Sequence, residues 1–284
     1  MTDTSRTESG WRRFWNRGGW WKAALVAGVY LGLYLGTGWL IGTLFGSQID
    51  KKDILATVQS VFFGIALAII VGSVLLIVFG ASLGWLRELF GRQPIRGRGW
   101  MWIAPAIVLV AAVLRILGTD YSRYNVGVLV MVYVTGLFVG FAEELLTRGF
   151  AVDLLRRGGY SERVVMLLSS LIFALLHATN VLSGQPIMTV AVTMAFTFVF
   201  GVAMYLTLRV TGSLIWPMLL HAVTDPSTIL ASGGVDSATT TVSPLAGLAG
   251  ISTYIYLAIT IVAIFAVRGR VRPRELQPVA PLPA

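Results

Sequence analysis

Six ionisable side chains stand where so apolar a chain has least reason to hold them. Glu143, Glu144 and Arg148 lie in FAEELLTRGF, at the end of an apolar run that begins near Val126. His177 closes FALLH, and His221 and Asp225 bracket HAVTD. The two histidines are the only ones in the chain. A charge at bilayer depth costs about 3 kcal/mol even on the more modest insertion scales, so a function has to justify the cluster. A carboxylate beside an imidazole deprotonates water as a general base. Two histidines and a carboxylate also hold a catalytic zinc with one position open. Both routes stay open at this point: the cofactor is zinc or none, and the ligands, if a metal is used, are Glu143, His177, His221 and Asp225. No HExxH spacing occurs, and the absence of Cys excludes a thiolate nucleophile and a thiolate metal site. Ser169, Ser170 and Ser213 have no geometric claim on either histidine, which disfavours a serine route.

Spacing separates the roles. Adjacent helix residues point about 100° apart, so Glu143 and Glu144 face different ways. Glu144 and Arg148 stand at i,i+4 and pair on one face, while Glu143 has Thr147 at its own i+4 position and no cation. Arg148 therefore compensates Glu144 and leaves Glu143 for a cavity. His221 and Asp225, also at i,i+4, face one point. Pro226 and Pro217 each remove a backbone donor, which predicts a helix disturbed on both sides of His221. With every carboxyl ionised and both histidines neutral, the cluster sums to minus two. A dry bilayer core does not hold that unassisted, so protons are shared there or a cation is bound.

The elements that must position these groups are membrane helices. The chain is 56% hydrophobic and 12% charged, with a mean hydropathy of +0.79, against about 25% charged for soluble domains. Eight apolar runs are long enough to span a bilayer: 23–45, 55–82, 100–117, 126–152, 164–181, 187–208, 213–231 and 245–267. The expected fold is an all-α integral membrane protein of eight transmembrane helices with both termini cytoplasmic. Residues 1–22 form a basic, aromatic interfacial segment, 23–267 the membrane domain with its motif-bearing core at 126–231, and 268–284 a basic, Pro-rich tail that reads as disordered.

The loops test the count. Arg and Lys crowd the segments that this topology places inside, whereas the outer loops hold only Lys51, Lys52 and Arg123. The net charge of +9 and the WRRFWNRGGWWK segment (Trp11 to Lys22) then belong to an anionic lipid surface rather than to nucleic acid. Trp85, Trp100 and Trp102 fit an inner interfacial belt, and Tyr121 and Tyr124 an outer one. Arg115, near the outer end of the third run, snorkels. Helical rise places Glu143 about 20 Å from Arg156, His177 about 21 Å from Arg163, and His221 and Asp225 about 18 and 24 Å from Arg209. Four groups on three helices thus share one depth near the bilayer middle.

EELLTR (Glu143 to Arg148), FALLH (Phe173 to His177) and HAVTD (His221 to Asp225) fit EExxxR, FxxxH and Hxxx followed by Asn or Asp. In that order, on three spans, they resemble the CAAX-protease and bacteriocin-processing (CPBP or Abi) family of intramembrane proteases. The resemblance implies a peptidase in which Glu143 and His177 activate the attacking water. It implies that His221 and Asp225 stabilise the oxyanion or bind metal, and that Glu144 and Arg148 hold the site in shape. Members that process prenylated CAAX proteins carry Asn at the last position. Asp225 departs from that pattern and bears against a prenylated substrate. The expected partners are the bilayer and a membrane-associated peptide or protein substrate, in a multi-pass protein of the cell membrane. A non-catalytic immunity or scaffold protein keeping the motifs for structure is the alternative. A proton-coupled transporter is a third possibility, since Glu and His chains also relay protons.

Overall fold

The computed structural model describes residues 9–234 and 242–272. The expected disordered tail, apart from residues 268–272, lies outside them. The described chain is helical, with no strand. The helices that build the bundle are α1 (Gly10–Asn16), α2 (Trp20–Phe45), α3 (Val58–Leu83), α4 (Leu86–Leu89), α5 (Gly99–Gly118), α6 (Val126–Arg157), α7 (Glu162–Ser183), α8 (Ile187–Thr211), α9 (Ile215–Ser232) and α10 (Pro244–Ala266).

Among the described residues, seven helices are long and apolar enough to cross a membrane. They are α2 (with the turn that follows it), α3, α5, α6, α7, α8 and α10. Their outward faces carry large apolar side chains such as Trp39, Val78, Leu117, Ile187 and Phe265, as a lipid-facing surface requires. The eighth expected run, 213–231, is the helix α9 but is not among the seven. Its sequence holds His221, Thr224, Asp225, Ser227 and Thr228, so its mean hydropathy falls below that of its neighbours even though it packs in the middle of the bundle. α9 nevertheless joins the two ends of the molecule. Just before it, the Gly212 carbonyl accepts from the Gln93 amide at 2.9 Å, and near its far end the Leu230 carbonyl accepts from the Tyr124 hydroxyl at 2.7 Å.

Pro217 does not break α9. The helix begins at Ile215, so Pro217 sits in the first turn, where a missing N–H leaves no helical bond unmade. Pro226 does lie inside the helix. Its ring is met by Gly136 of α6, where an added Cβ would collide with Pro226 Cγ. Four residues on, a Cβ at Gly140 would collide with the Met218 carbonyl oxygen. Gly136 and Gly140 form a GxxxG face that lets the α6 and α9 backbones touch, which is how membrane helices gain packing energy when lipid is as apolar as Leu. Gly140→Val is expected to wedge the two helices apart, lowering the melting temperature in detergent. Wild-type stability in that variant would refute the close approach.

The other end of the bundle is tied into a polar layer. The Gly19 amide donates to the Leu154 carbonyl at 2.8 Å, the Gly97 amide to the Arg209 carbonyl at 2.7 Å, and the Glu162 amide to the Gly269 carbonyl at 2.9 Å. Both ends of the described chain therefore meet the same face of the bundle. Several of its basic residues are not the solvated loop charges expected from sequence. Arg156 and Arg209 are buried around the fully buried Glu162. Arg156 reaches its two carboxylate oxygens at 2.8 Å each, Arg209 bonds at 3.0 Å and the Tyr205 hydroxyl at 2.5 Å. Trp85 is also buried rather than interfacial: the Arg157 guanidinium lies 4.2 Å over its ring and its indole N–H donates to Asn16 at 3.0 Å. Trp102, more than half exposed, does face outward.

Arg157 serves two carboxylates, Glu88 at 2.5 Å and Asp153 at 2.6 Å. Burial, and then the Asp153 charge, outweigh Arg157 and push the Glu88 carboxyl from 4.5 up to about 7. A carboxyl raised in the folded state binds its proton more tightly there than in the unfolded chain. Its contribution is thus fully present below about 4.5 and is lost as pH rises through 7. Glu88→Gln should raise the melting temperature at pH 8 and change it little at pH 5. An equal shift at both values would count against this.

Candidate active site

α6 is regular as far as Glu144 and then widens into a π-helical stretch, Leu145–Ala151, a feature often found at functional sites. The Thr147 hydroxyl donates to the Glu143 carbonyl at 2.6 Å and accepts from Arg148 Nη1 at 2.6 Å. Arg148 Nη1 also donates to Glu144 Oε1 at 3.0 Å, with both side chains fully buried. The same carboxylate oxygen accepts from His221 Nδ1 at 2.8 Å. Glu144 thus joins α6 to α9, a contact that sequence did not reveal. Spacing fixes partners within one helix, but nothing in it says which residue of α9 faces Glu144.

With Nδ1 committed to Glu144, His221 turns Nε2 between two more carboxylates, 3.6 Å from Glu143 Oε2 and 3.5 Å from Asp225 Oδ2. His221 is 2% exposed, whereas the side chains of Glu143 and Asp225 are 23% and 37% exposed. The environment therefore divides the three acids: one sealed and paired, two open. His177 stands where the α-helical part of α7 gives way to a 3-10 stretch, His177–Ser183. Its Nδ1 meets the Phe173 carbonyl at 3.0 Å. A carbonyl only accepts, so Nδ1 carries a hydrogen and Nε2 is the ring nitrogen left to face other partners. Phe173 holds the group together: its ring is edge-on to His177 at 5.0 Å and to His221 at 5.7 Å, and the Arg148 guanidinium lies 4.6 Å from its centre. Phe200 closes the other side of His221 at 5.2 Å.

A cavity of about 190 Å³ opens at Glu143 and His177 and is lined as well by Asn180, one turn beyond His177 on α7, and by Tyr30 and Tyr34 of α2. These three polar residues belong to no motif found by sequence. Asp225, 3.5 Å from His221 Nε2, also borders a small apolar cavity of about 40 Å³ with Val61, Val132 and Pro226. Ser169 donates to the Met166 carbonyl at 3.2 Å and takes no part. Among the described residues, no group of three or more His, Cys, Asp and Glu side chains is placed to hold a metal ion. Of the set considered from sequence, Glu143 and His177 line the larger cavity and Asp225 borders the smaller one, while His221 spends one nitrogen on Glu144.

The stretch that builds this site decides the comparison with known proteins. Residues 125–226 match the family described as type II CAAX prenyl endopeptidase Rce1-like. The match bears out the resemblance drawn from EELLTR, FALLH and HAVTD. No curated protein and no solved structure matched the chain. The Rce1-like stretch takes in α6, α7, α8 and α9 as far as Pro226. It therefore contains all six charged residues of the site but neither α2 nor its tyrosines. Together with seven apolar helices, the match makes this a multi-pass integral membrane protein with a CAAX-protease-like core.

Proposed function

We propose that the protein is an intramembrane endopeptidase that hydrolyses a peptide bond of a membrane-associated protein or peptide. The observation that carries this is the division of labour between adjacent acids: Arg148 and His221 occupy Glu144, while Glu143 opens with His177 on one cavity. A water held between Glu143 and His177 Nε2 gives up a proton to Glu143 as its oxygen attacks the scissile carbonyl carbon. The tetrahedral intermediate collapses when Glu143 returns that proton to the departing amine, so that the acid and amine products leave and the carboxylate is regenerated. Proton transfer of this kind is worth about 10²–10⁴ in rate. Glu144 and Arg148 fix His221, and His221 sits where it can share a proton with Glu143 and Asp225.

Eight crossings with both termini cytoplasmic accompany this function. α9 supplies the eighth crossing: its length of 18 residues corresponds to about 27 Å, close to the bilayer core. The basic residues gathered on the face shared by both termini support its assignment as the inner one. The active-site test is purified protein in liposomes with membrane-anchored peptides, comparing wild type with Glu143→Gln and His177→Ala. Cleavage by wild type alone supports the assignment, and cleavage at full rate by either variant overturns it.

A further inference from the structure

Arg148 is tied down by fewer bonds than its charge suggests. Only Nη1 of its guanidinium is engaged, by Glu144 Oε1 at 3.0 Å and the Thr147 hydroxyl at 2.6 Å. Nε and Nη2 are buried without a hydrogen-bond partner among the described residues, and so is Glu144 Oε2. A guanidinium that grips a carboxylate in two places fixes its own geometry. One bonded through a single nitrogen can swing about that bond, so packing must set where it rests. The Phe173 ring lies on one side, its centre 4.6 Å from the guanidinium carbon. On another side is Gly201 of α8. A Cβ added there would stand 2.9 Å from Arg148 Nη2, and 3.1 and 3.2 Å from Ser170 Cβ and Cα on α7. These separations are shorter than ordinary van der Waals contact. Ser170 Cα is helix backbone, whereas Nη2 is the end of a flexible side chain, so the guanidinium would yield first. α8 brings no charged residue to the site. Yet its consecutive residues meet both partners of Glu144, because the Phe200 ring lies 5.2 Å from that of His221.

We propose that Gly201 is a positioning residue of the reaction: its missing side chain is the socket that seats the Arg148 guanidinium, and through it Glu144 and His221. This rests on the peptidase function above and extends its site to α8. The coupling is direct, because Arg148 Nη1 and His221 Nδ1 bond the same oxygen, Glu144 Oε1, at 3.0 and 2.8 Å. A guanidinium pushed out of the socket moves that oxygen or lets it go. His221 then turns, and its Nε2 leaves the place it holds 3.6 Å from Glu143.

The test is a double-mutant cycle in the full-length protein, with a membrane-anchored quenched-fluorescent peptide that the wild type cleaves in liposomes. Gly201→Ala is expected to lower kcat about tenfold, the scale of coupling between residues in contact, with KM little changed. Arg148→Lys keeps the positive charge on a shorter stem with no Nη2. In that background Gly201→Ala should change kcat by about twofold or less. A second measurement needs no turnover. The chain has only two histidines, so ¹⁵N-histidine spectra in detergent hold two rings, assigned by the loss of one in His177→Ala. Gly201→Ala should shift the His221 Nδ1 signal. Full kcat in Gly201→Ala, an unmoved His221 signal, or the same loss of kcat in both backgrounds would overturn the proposal. The last result would mean that Gly201 serves only the spacing of α7 and α8. Glu143→Gln is the control. If it stays active, the peptidase function at this site fails, while the His221 signal still decides the socket.

Discussion

Glu143→Gln lowers kcat by about 10³-fold, in the middle of the range for losing a general base, and leaves the protein folded. The side chain is 23% exposed and has no cation of its own, its nearest partner being His221 Nε2 at 3.6 Å. Exchanging the carboxylate for an amide removes one negative charge from a group of three and breaks no close ion pair. Thermal stability in detergent should therefore hold or rise while cleavage is lost. The combination discriminates, because a residue acting only through structure loses both together. The rival assignment is a scaffold that keeps its biological effect without turnover, and it predicts that Glu143→Gln changes nothing in the cell.

Arg148→Met has the opposite signature. Arg148 and Glu144 are sealed from solvent and bonded at 3.0 Å. Removing the guanidinium leaves the Glu144 carboxylate buried with His221 alone, at a cost of about 3–5 kcal/mol for an ion pair broken from one side. Folded yield and melting temperature should fall sharply. Adding Glu144→Gln removes the stranded charge and should recover much of the stability, because replacing both partners of a buried pair is often close to neutral. Activity should stay low in the double variant, since His221 loses the carboxylate that orients it at 2.8 Å. Stability that does not recover would show that Arg148 acts chiefly through its packing over Phe173.

The contrast between these neighbouring residues was legible in the chain itself. The i,i+4 spacing of Glu144 and Arg148 dictated their pairing, because helical geometry brings those positions together whatever surrounds them. It also left Glu143 on another face. Hydropathy located the membrane helices within a few residues, since a run of that length and composition has little choice but a helix in lipid. It does not settle α9, where the residues that would do the chemistry dilute the apolar signal. Helical rise predicts one level for His177, His221, Glu143 and Asp225, but depth has no angular component.

Angle is what the tertiary structure decided. Gly136 and Gly140 set the close approach of α6 and α9, and that approach hands His221 Nδ1 to Glu144 rather than to Glu143. The same approach sets the other nitrogen, Nε2, between Glu143 at 3.6 Å and Asp225 at 3.5 Å. Arg156 and Arg209, counted from sequence as loop charges, are drawn inward by one glutamate, Glu162 at the start of α7. Tyr30 and Tyr34 look from sequence like any aromatic pair in a membrane span, and become part of a polar chamber only because α2 packs across α6 and α7. The chain alone specified which groups are ionisable and which neighbours on their own helix they meet. The rotation of one helix against another depends on side-chain packing between segments far apart in sequence, and no local spacing encodes it.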